Sequence, residues 1–299
     1  MTPQPPKNRP TQQRPTKSRA LTKKRRRFDA AMLTWISIAV VVALVAVIVI
    51  VYEVTSSNEK DNFGPVTAQV YSEMTGIPAS VFNSVGVSSP NIAIGGIYRL
   101  TKQPAGLTWT NAAGKKEPWV FYYGGEYCPY CAATRWGIVA ALSRFGTFHG
   151  LYNMYSSSSD TDPNTPTVTF LHATYTSPYL RFNGYEVEDR NHNPLMTPAP
   201  QVTTELSRYN SGGTFPFMDV ANNIFIVGSV FDPGVLAGLN QATVAGSLNQ
   251  ASSPVTQAIV AEANYLSAGI CVADNYAPSS VCMSPGVKVA IKALAKLKD

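Results

Sequence analysis

The stretch Trp119-Val120-Phe121-Tyr122-Tyr123-Gly124-Gly125-Glu126-Tyr127-Cys128-Pro129-Tyr130-Cys131 decides the fold. Its first five residues are large and apolar or aromatic and read as a strand. The glycine pair reads as a tight turn, and the proline after Cys128 suits the first residue of a helix. Beyond Cys131 the apolar positions Trp136, Val139, Ala140, Leu142 and Phe145 recur at helical spacing and stop at Gly146. The reading is strand, turn, helix, with two cysteines in the first helical turn.

A sulfur at a helix start lies among unpaired backbone amides at the positive end of the helix dipole, which stabilises a thiolate. Cys128 is therefore the expected nucleophile. Cys131, nearly one turn later, is placed to resolve a mixed disulfide. Three other readings compete: a structural disulfide, a zinc site shared with the two remaining cysteines, and a relic without turnover. So short a loop would remove little chain entropy, and the second pair, Cys271 and Cys282, lacks a zinc-knuckle spacing. That second pair brackets a loop containing Asp274, Asn275, Pro278 and Ser279 and reads as a structural disulfide, or else as an auxiliary exchanging pair.

Working outward, residues 66–77 carry apolar positions at helical spacing and predict one or two opening helices. Residues 92–100 and 168–173 read as strands, with a turn at 112–116 between Leu107-Thr108-Trp109 and the motif strand. Residues 182–201 are ambiguous. A hairpin is expected from Phe215 to Gly228, turning at Asn222-Asn223, followed by helices over about 233–248, 256–268 and 287–298.

The chain has 299 residues, 45% hydrophobic and 14% charged, with a formal charge of +6. That excludes a wholly disordered chain and a disulfide-dense miniprotein. Ten basic residues precede Ala30 against one acid, Asp29, whereas fourteen basic and seventeen acidic residues follow Tyr52. The body is mildly acidic, so no nucleic-acid partner is expected. Residues 1–29 read as a disordered basic cytoplasmic tail. Residues 30–52 carry no charge and, as a helix at ~1.5 Å per residue, could cross a bilayer core about 30 Å thick. The cluster Lys23 to Arg27 directly before them predicts a single-pass anchor with its N-terminus in the cytoplasm. Residues 53–65 read as a linker and 66–299 as the extracytoplasmic domain with a C-terminal helical extension. His149, His172 and His192 have no ligand spacing and no phosphate-cradling loop occurs, so neither metal nor cofactor is expected.

These residues resemble the thioredoxin superfamily in the strand, in Cys128-Pro129-Tyr130-Cys131 on a helix, and in a proline opening a later hairpin. The resemblance implies an α/β fold, a thioredoxin-like mixed sheet flanked by helices. It also implies a cis-proline at Pro216 beside the motif, with the backbone of Phe215 pairing with substrate. Tyr127, Pro129 and Tyr130 join Phe215 and Pro216 as expected substrate contacts. Cytosolic thioredoxins carry a buried acid where Tyr122 stands, so proton transfer to Cys131 is left to Glu126, a water or the substrate. Glu126 and Arg135, seven residues after Cys128, are the expected tuning charges. The fuller pattern, from Gly125-Glu126-Tyr127-Cys128 through Arg135-Trp136 and Pro216-Phe217 to Cys271 and Cys282, resembles a membrane-anchored family known as domain of unknown function 929, over about residues 66–290.

The expected function is a thiol-disulfide oxidoreductase that exchanges disulfides with client proteins, with a separate membrane redox partner as a further expectation. The alternative is a non-catalytic surface module that binds peptides and carries a structural or vestigial disulfide.

Overall fold

The computed structural model describes residues 38–47, 63–89, 96–100, 102 and 104–297, which fall into two units, Met1–Val54 and Thr55–Asp299. In the first unit residues 38–47 form helix α1, with apolar side chains such as Ile38, Val42 and Val47 exposed. The rest of the 30–52 run, the 1–29 tail and residues 53–62 lie outside the described residues. Among the described residues no helix is long and apolar enough to cross a membrane.

The second unit is a mixed α/β structure. It opens with α2 (Ala68–Thr75) and α3 (Ala79–Val85), then β1 (Ile97–Tyr98), β2 (Thr108–Thr110), β3 (Lys116–Gly125) and α4 (Pro129–Leu142). Four short strands follow: β4 (Thr147–His149), β5 (Tyr152–Tyr155), β6 (Pro166–Thr169) and β7 (Thr174–Thr176). The chain continues with β8 (Arg181–Glu188), α5 (Pro200–Tyr209), β9 (Phe217–Val220) and β10 (Ile224–Val227). It closes with a 3-10 turn (Pro233–Leu236), α6 (Gln241–Ser247), α7 (Pro254–Ala273), α8 (Ser279–Cys282) and α9 (Pro285–Leu294).

Strand β3 is the axis of the main sheet. It pairs in parallel with β8 on one side and antiparallel with β9 on the other, and β9 continues to β10 and β1, while β2 forms a hairpin with the first residues of β3. Successive side chains of a strand face opposite ways, and β3 builds a core on each face. Val120 and Tyr122 join Met218, Val220, Ile224 and Ile226 against helices α4 and α7. Trp119 and Phe121 join Phe217 and Phe225 against Val202, Leu206 and Tyr209 of α5. Helix α4 lies so deep that Tyr130 is its one residue not buried. The β4–β7 and β5–β6 pairs form two small separate sheets.

Several elements differ from the sequence expectation. Of the strand expected over 92–100 only Ile97–Tyr98 is a strand, and residues 92–95 lie outside the described residues. The 168–173 strand is shifted to Pro166–Thr169, because the chain turns at Phe170, whose carbonyl accepts the Ala173 amide at 3.0 Å. The ambiguous 182–201 segment holds β8 and the start of α5. The 233–248 helix divides into the 3-10 turn and α6, with Gly238 at φ 72° between them and Asn240 capping Thr243. In the hairpin the left-handed residues are Ala221 and Asn222, φ 55° and 59°, one position earlier than the asparagine pair. Gly64 and Pro65, inside the expected linker, already pair with β5.

Candidate active site

The parallel register of β3 on β8 slips at Gly124-Gly125, and the Glu126 amide then donates to the Glu188 carbonyl at 2.8 Å. The Cys128 amide closes a turn on the Gly125 carbonyl at 3.4 Å. This delivers Cys128 to the N-cap of α4, where its sulfur accepts the Cys131 amide at 3.3 Å. A thiol thus stands where a hydroxyl or carboxylate commonly satisfies the orphan amides, and Pro129 takes the position that needs no donor.

Cys128 is 6% exposed and Cys131 fully buried, and neither is in a disulfide. The two sulfurs are pulled in opposite directions. A hydrogen bond from the Cys131 thiol, helped by the Cys131 and Tyr130 amides and the Arg135 charge, holds the Cys128 thiol below its ordinary value against the cost of burial. Burial, with the proton committed to Cys128, pushes Cys131 well above its ordinary value. The pair is an ionisable outer sulfur backed by a protonated inner one.

Arg135 is not a solvated surface residue of α4. It is wholly buried, forked onto Glu186 of β8, and its Nη2 also donates to the Gly125 carbonyl at 2.9 Å. Among the described residues its Nη1 has no hydrogen-bond partner, so the cation is not fully spent on Glu186. Glu126 turns to Thr169, whose hydroxyl donates to Oε1 at 2.6 Å, and burial raises its carboxyl. Its facing charges are Glu186, Arg135 and Asp189 rather than the cysteines.

Around Cys128 the surface is aromatic. Tyr130 is 43% exposed; Tyr127 is half-buried, its ring tilted against His192 at 3.9 Å between centroids and 6.2 Å from Phe215. Phe215 also meets Tyr123 edge-on at 5.0 Å. Burial pushes the Tyr127 phenol up to about 12. His192 is held by Glu188, Nδ1 to Oε2 at 3.2 Å. The Phe215-Pro216 peptide is cis. Asn210 brackets the residue before it, donating to the Thr214 carbonyl and accepting the Thr214 amide, both at 3.0 Å. No hydrogen bond among the described residues engages the amide or carbonyl of Phe215.

The structure therefore brings Cys128, Cys131, Tyr127, Pro129, Tyr130, Phe215 and Arg135 to one end of β3, with Pro216 opening β9 beside them. Cys271 and Cys282 are joined by a disulfide between α7 and α8, with Cα atoms 5.5 Å apart. Glu186 and His192 belong to the site and were not expected from sequence; an acid amid the apolar residues of 182–187 is the one signal for Glu186. Among the described residues no cluster of ligands could hold a metal ion.

Residues 104–211 match the family described as Domain of unknown function (DUF929). The DUF929 match spans β2 to the last residues before the cis-proline loop, so it contains both motif cysteines, Arg135 and Glu186. It is narrower than the 66–290 span expected from the residue pattern. No curated protein and no solved structure matches the chain.

Proposed function

We propose that this chain is a thiol-disulfide oxidoreductase with a thioredoxin-like arrangement of sheet, motif helix and cis-proline, acting on protein clients. The observation that carries the reading is the opposed tuning of the two sulfurs at the N-terminus of α4. A lowered outer thiol supplies the more readily ionised nucleophile, and a raised inner thiol stays protonated until a mixed disulfide forms beside it. The order β8–β3–β9–β10, with the motif helix following β3 and a cis-proline entering β9, supports the same reading.

In the reducing direction the Cys128 thiolate attacks one sulfur of a client disulfide and the other client sulfur leaves as a thiolate. Cys131 then loses its proton and attacks the Cys128 sulfur. The client thiolate departs, and two electrons have passed from the dithiol to the client. As an oxidase the Cys128–Cys131 disulfide runs the steps in reverse. The amide and carbonyl of Phe215, unbonded among the described residues, offer a client backbone an antiparallel partner, and Tyr127 and Tyr130 offer it apolar surface.

The same reading places the chain at a membrane. The uncharged 30–52 run behind a basic cluster, with an exposed apolar helix at residues 38–47, suits an anchor that leaves the second unit outside the cytoplasm. The full chain carrying Cys131→Ser, expressed in its host, is expected to accumulate clients joined to Cys128 that dithiothreitol releases. Recovery of Cys128 only as a free, unreactive thiol would overturn the proposal.

A further inference from the structure

Resolution of a mixed disulfide requires negative charge on the Cys131 sulfur at a wholly buried site, and something must stabilise that charge. Glu126 is committed to Thr169. Glu262, the buried acid of α7, faces Thr134 and Gly137, three and six residues further along α4. Arg135 supplies a cation nearby, and a neutral hydroxyl, that of Tyr122, stands beside the sulfur. Tyr122 projects from β3 toward α4, fully buried, and among the described residues its hydroxyl makes no hydrogen bond of good geometry. A buried hydroxyl left unpaired costs about 1–3 kcal/mol, so its placement calls for a reason.

The geometry around Gly124 supplies one. A side-chain carbon at that position would lie 2.7 Å from the Cys131 sulfur and in collision with the Tyr122 hydroxyl, so the two groups crowd the same small space. The ring is held in place by Phe170, edge-on at 5.4 Å, and by the Arg135 guanidinium 5.6 Å from its centroid. A cation beside a phenol makes its O–H a stronger donor.

We propose that Tyr122 is a catalytic residue of the resolving step, its hydroxyl donating a hydrogen bond to the Cys131 sulfur as that sulfur becomes a thiolate. The inference rests on the oxidoreductase reading. Tyr122 gives up no proton: the Cys131 proton goes to the departing client thiolate, or to water where the leaving thiolate is as weakly basic as an aromatic one, and the phenol stays neutral because burial keeps it well above its ordinary value. The ionisable groups facing Cys131 are Cys128, Tyr122, Tyr127 and Arg135 with its counter-ion Glu186.

The test is the reduced full-length chain mixed with dithiobis-nitrobenzoate, with release of the coloured aromatic thiolate followed in time. Attack by Cys128 releases the first equivalent, and attack by Cys131 on the resulting mixed disulfide releases the second. With Tyr122→Phe the first phase should stay within about 2-fold of the parent and the second should slow by roughly 10–100-fold, the value of a hydrogen bond to a charged group. The pH at which the second phase reaches half its maximum should move upward. In a Cys128→Ser background, thiolate absorbance of Cys131 should also appear at higher pH once Tyr122→Phe is added. Unchanged resolution and an unchanged Cys131 profile in the phenylalanine variant would overturn the role of Tyr122. A parent chain that releases no second equivalent would instead overturn the oxidoreductase reading on which it rests.

Discussion

Glu186 of β8 holds Arg135 of α4 in a bidentate ion pair, Nε to Oε1 at 2.9 Å and Nη2 to Oε2 at 2.6 Å, with neither side chain exposed. The pair bolts the motif helix to the strand beside β3 and sets a cation near both sulfurs. Removing one partner leaves the other charged and buried without compensation. Glu186→Gln and Arg135→Met are each expected to cost about 3–5 kcal/mol in denaturant unfolding. Arg135→Met should in addition raise the pH at which Cys128 ionises, whereas a purely structural loss would leave the ionisation of the surviving folded fraction unchanged.

Gly124 is required for space rather than for its backbone angle. Its missing side chain would strike the Cys131 sulfur and the Tyr122 hydroxyl. Gly124→Ala is expected to destabilise the chain by about 1–3 kcal/mol through overpacking, read as a lower denaturation midpoint with an unchanged slope. A variant as stable as the parent would show that the site behind Cys131 is roomier than described.

Two buried acids predict an inverted pH dependence of stability. Burial raises Asp219 of β9 to about 8 and Glu262 of α7 well above its ordinary value. The folded chain therefore keeps protons that the unfolded chain releases. Their stabilising contribution is complete below about pH 4, the unfolded value for such groups, and for Asp219 it is lost as pH rises through about 8. Urea unfolding across this range should show stability falling with pH. Asp219→Asn, which keeps an acceptor for the Asn222 amide, should flatten that slope.

The Cys271–Cys282 bridge ties α7 to α8 across a sequence separation of 11. Its loss in Cys271→Ala/Cys282→Ala should cost roughly 2–4 kcal/mol and leave the first thiol-exchange phase of Cys128 intact. A loss of exchange in a folded double variant would assign that pair to the redox chemistry.

The motif region was legible because its signals are local. The run of apolar residues, the glycine pair and Cys128-Pro129 each dictate geometry within a few residues, whereas the cis peptide at Pro216 was expected only through the resemblance to thioredoxins. Strand β8 was opaque for the opposite reason. Its polar members have partners far along the chain: Asn183 accepts the Trp119 indole N–H at 3.0 Å, and Glu186 holds Arg135. Gly184 makes room for Phe170. Alternation of apolar and polar residues cannot register such tertiary contacts. The Arg135 charge is visible in the sequence but its partner is not, since the carboxylate that holds it lies on a strand 51 residues further along the chain. Helix α5 follows a proline-rich stretch and buries only Val202 and Glu205, too little for its period to stand out.

At the start of α4, Cys128 is expected to ionise more readily than an ordinary cysteine. The most direct measurement is the rate of Cys128 carboxamidomethylation against pH in the reduced full-length chain, resolved by peptide mass. Half-maximal reactivity clearly below the ordinary cysteine value of about 8.5, moving upward in Arg135→Met, is the result expected. A midpoint at or above that value, insensitive to Arg135, would contradict the account.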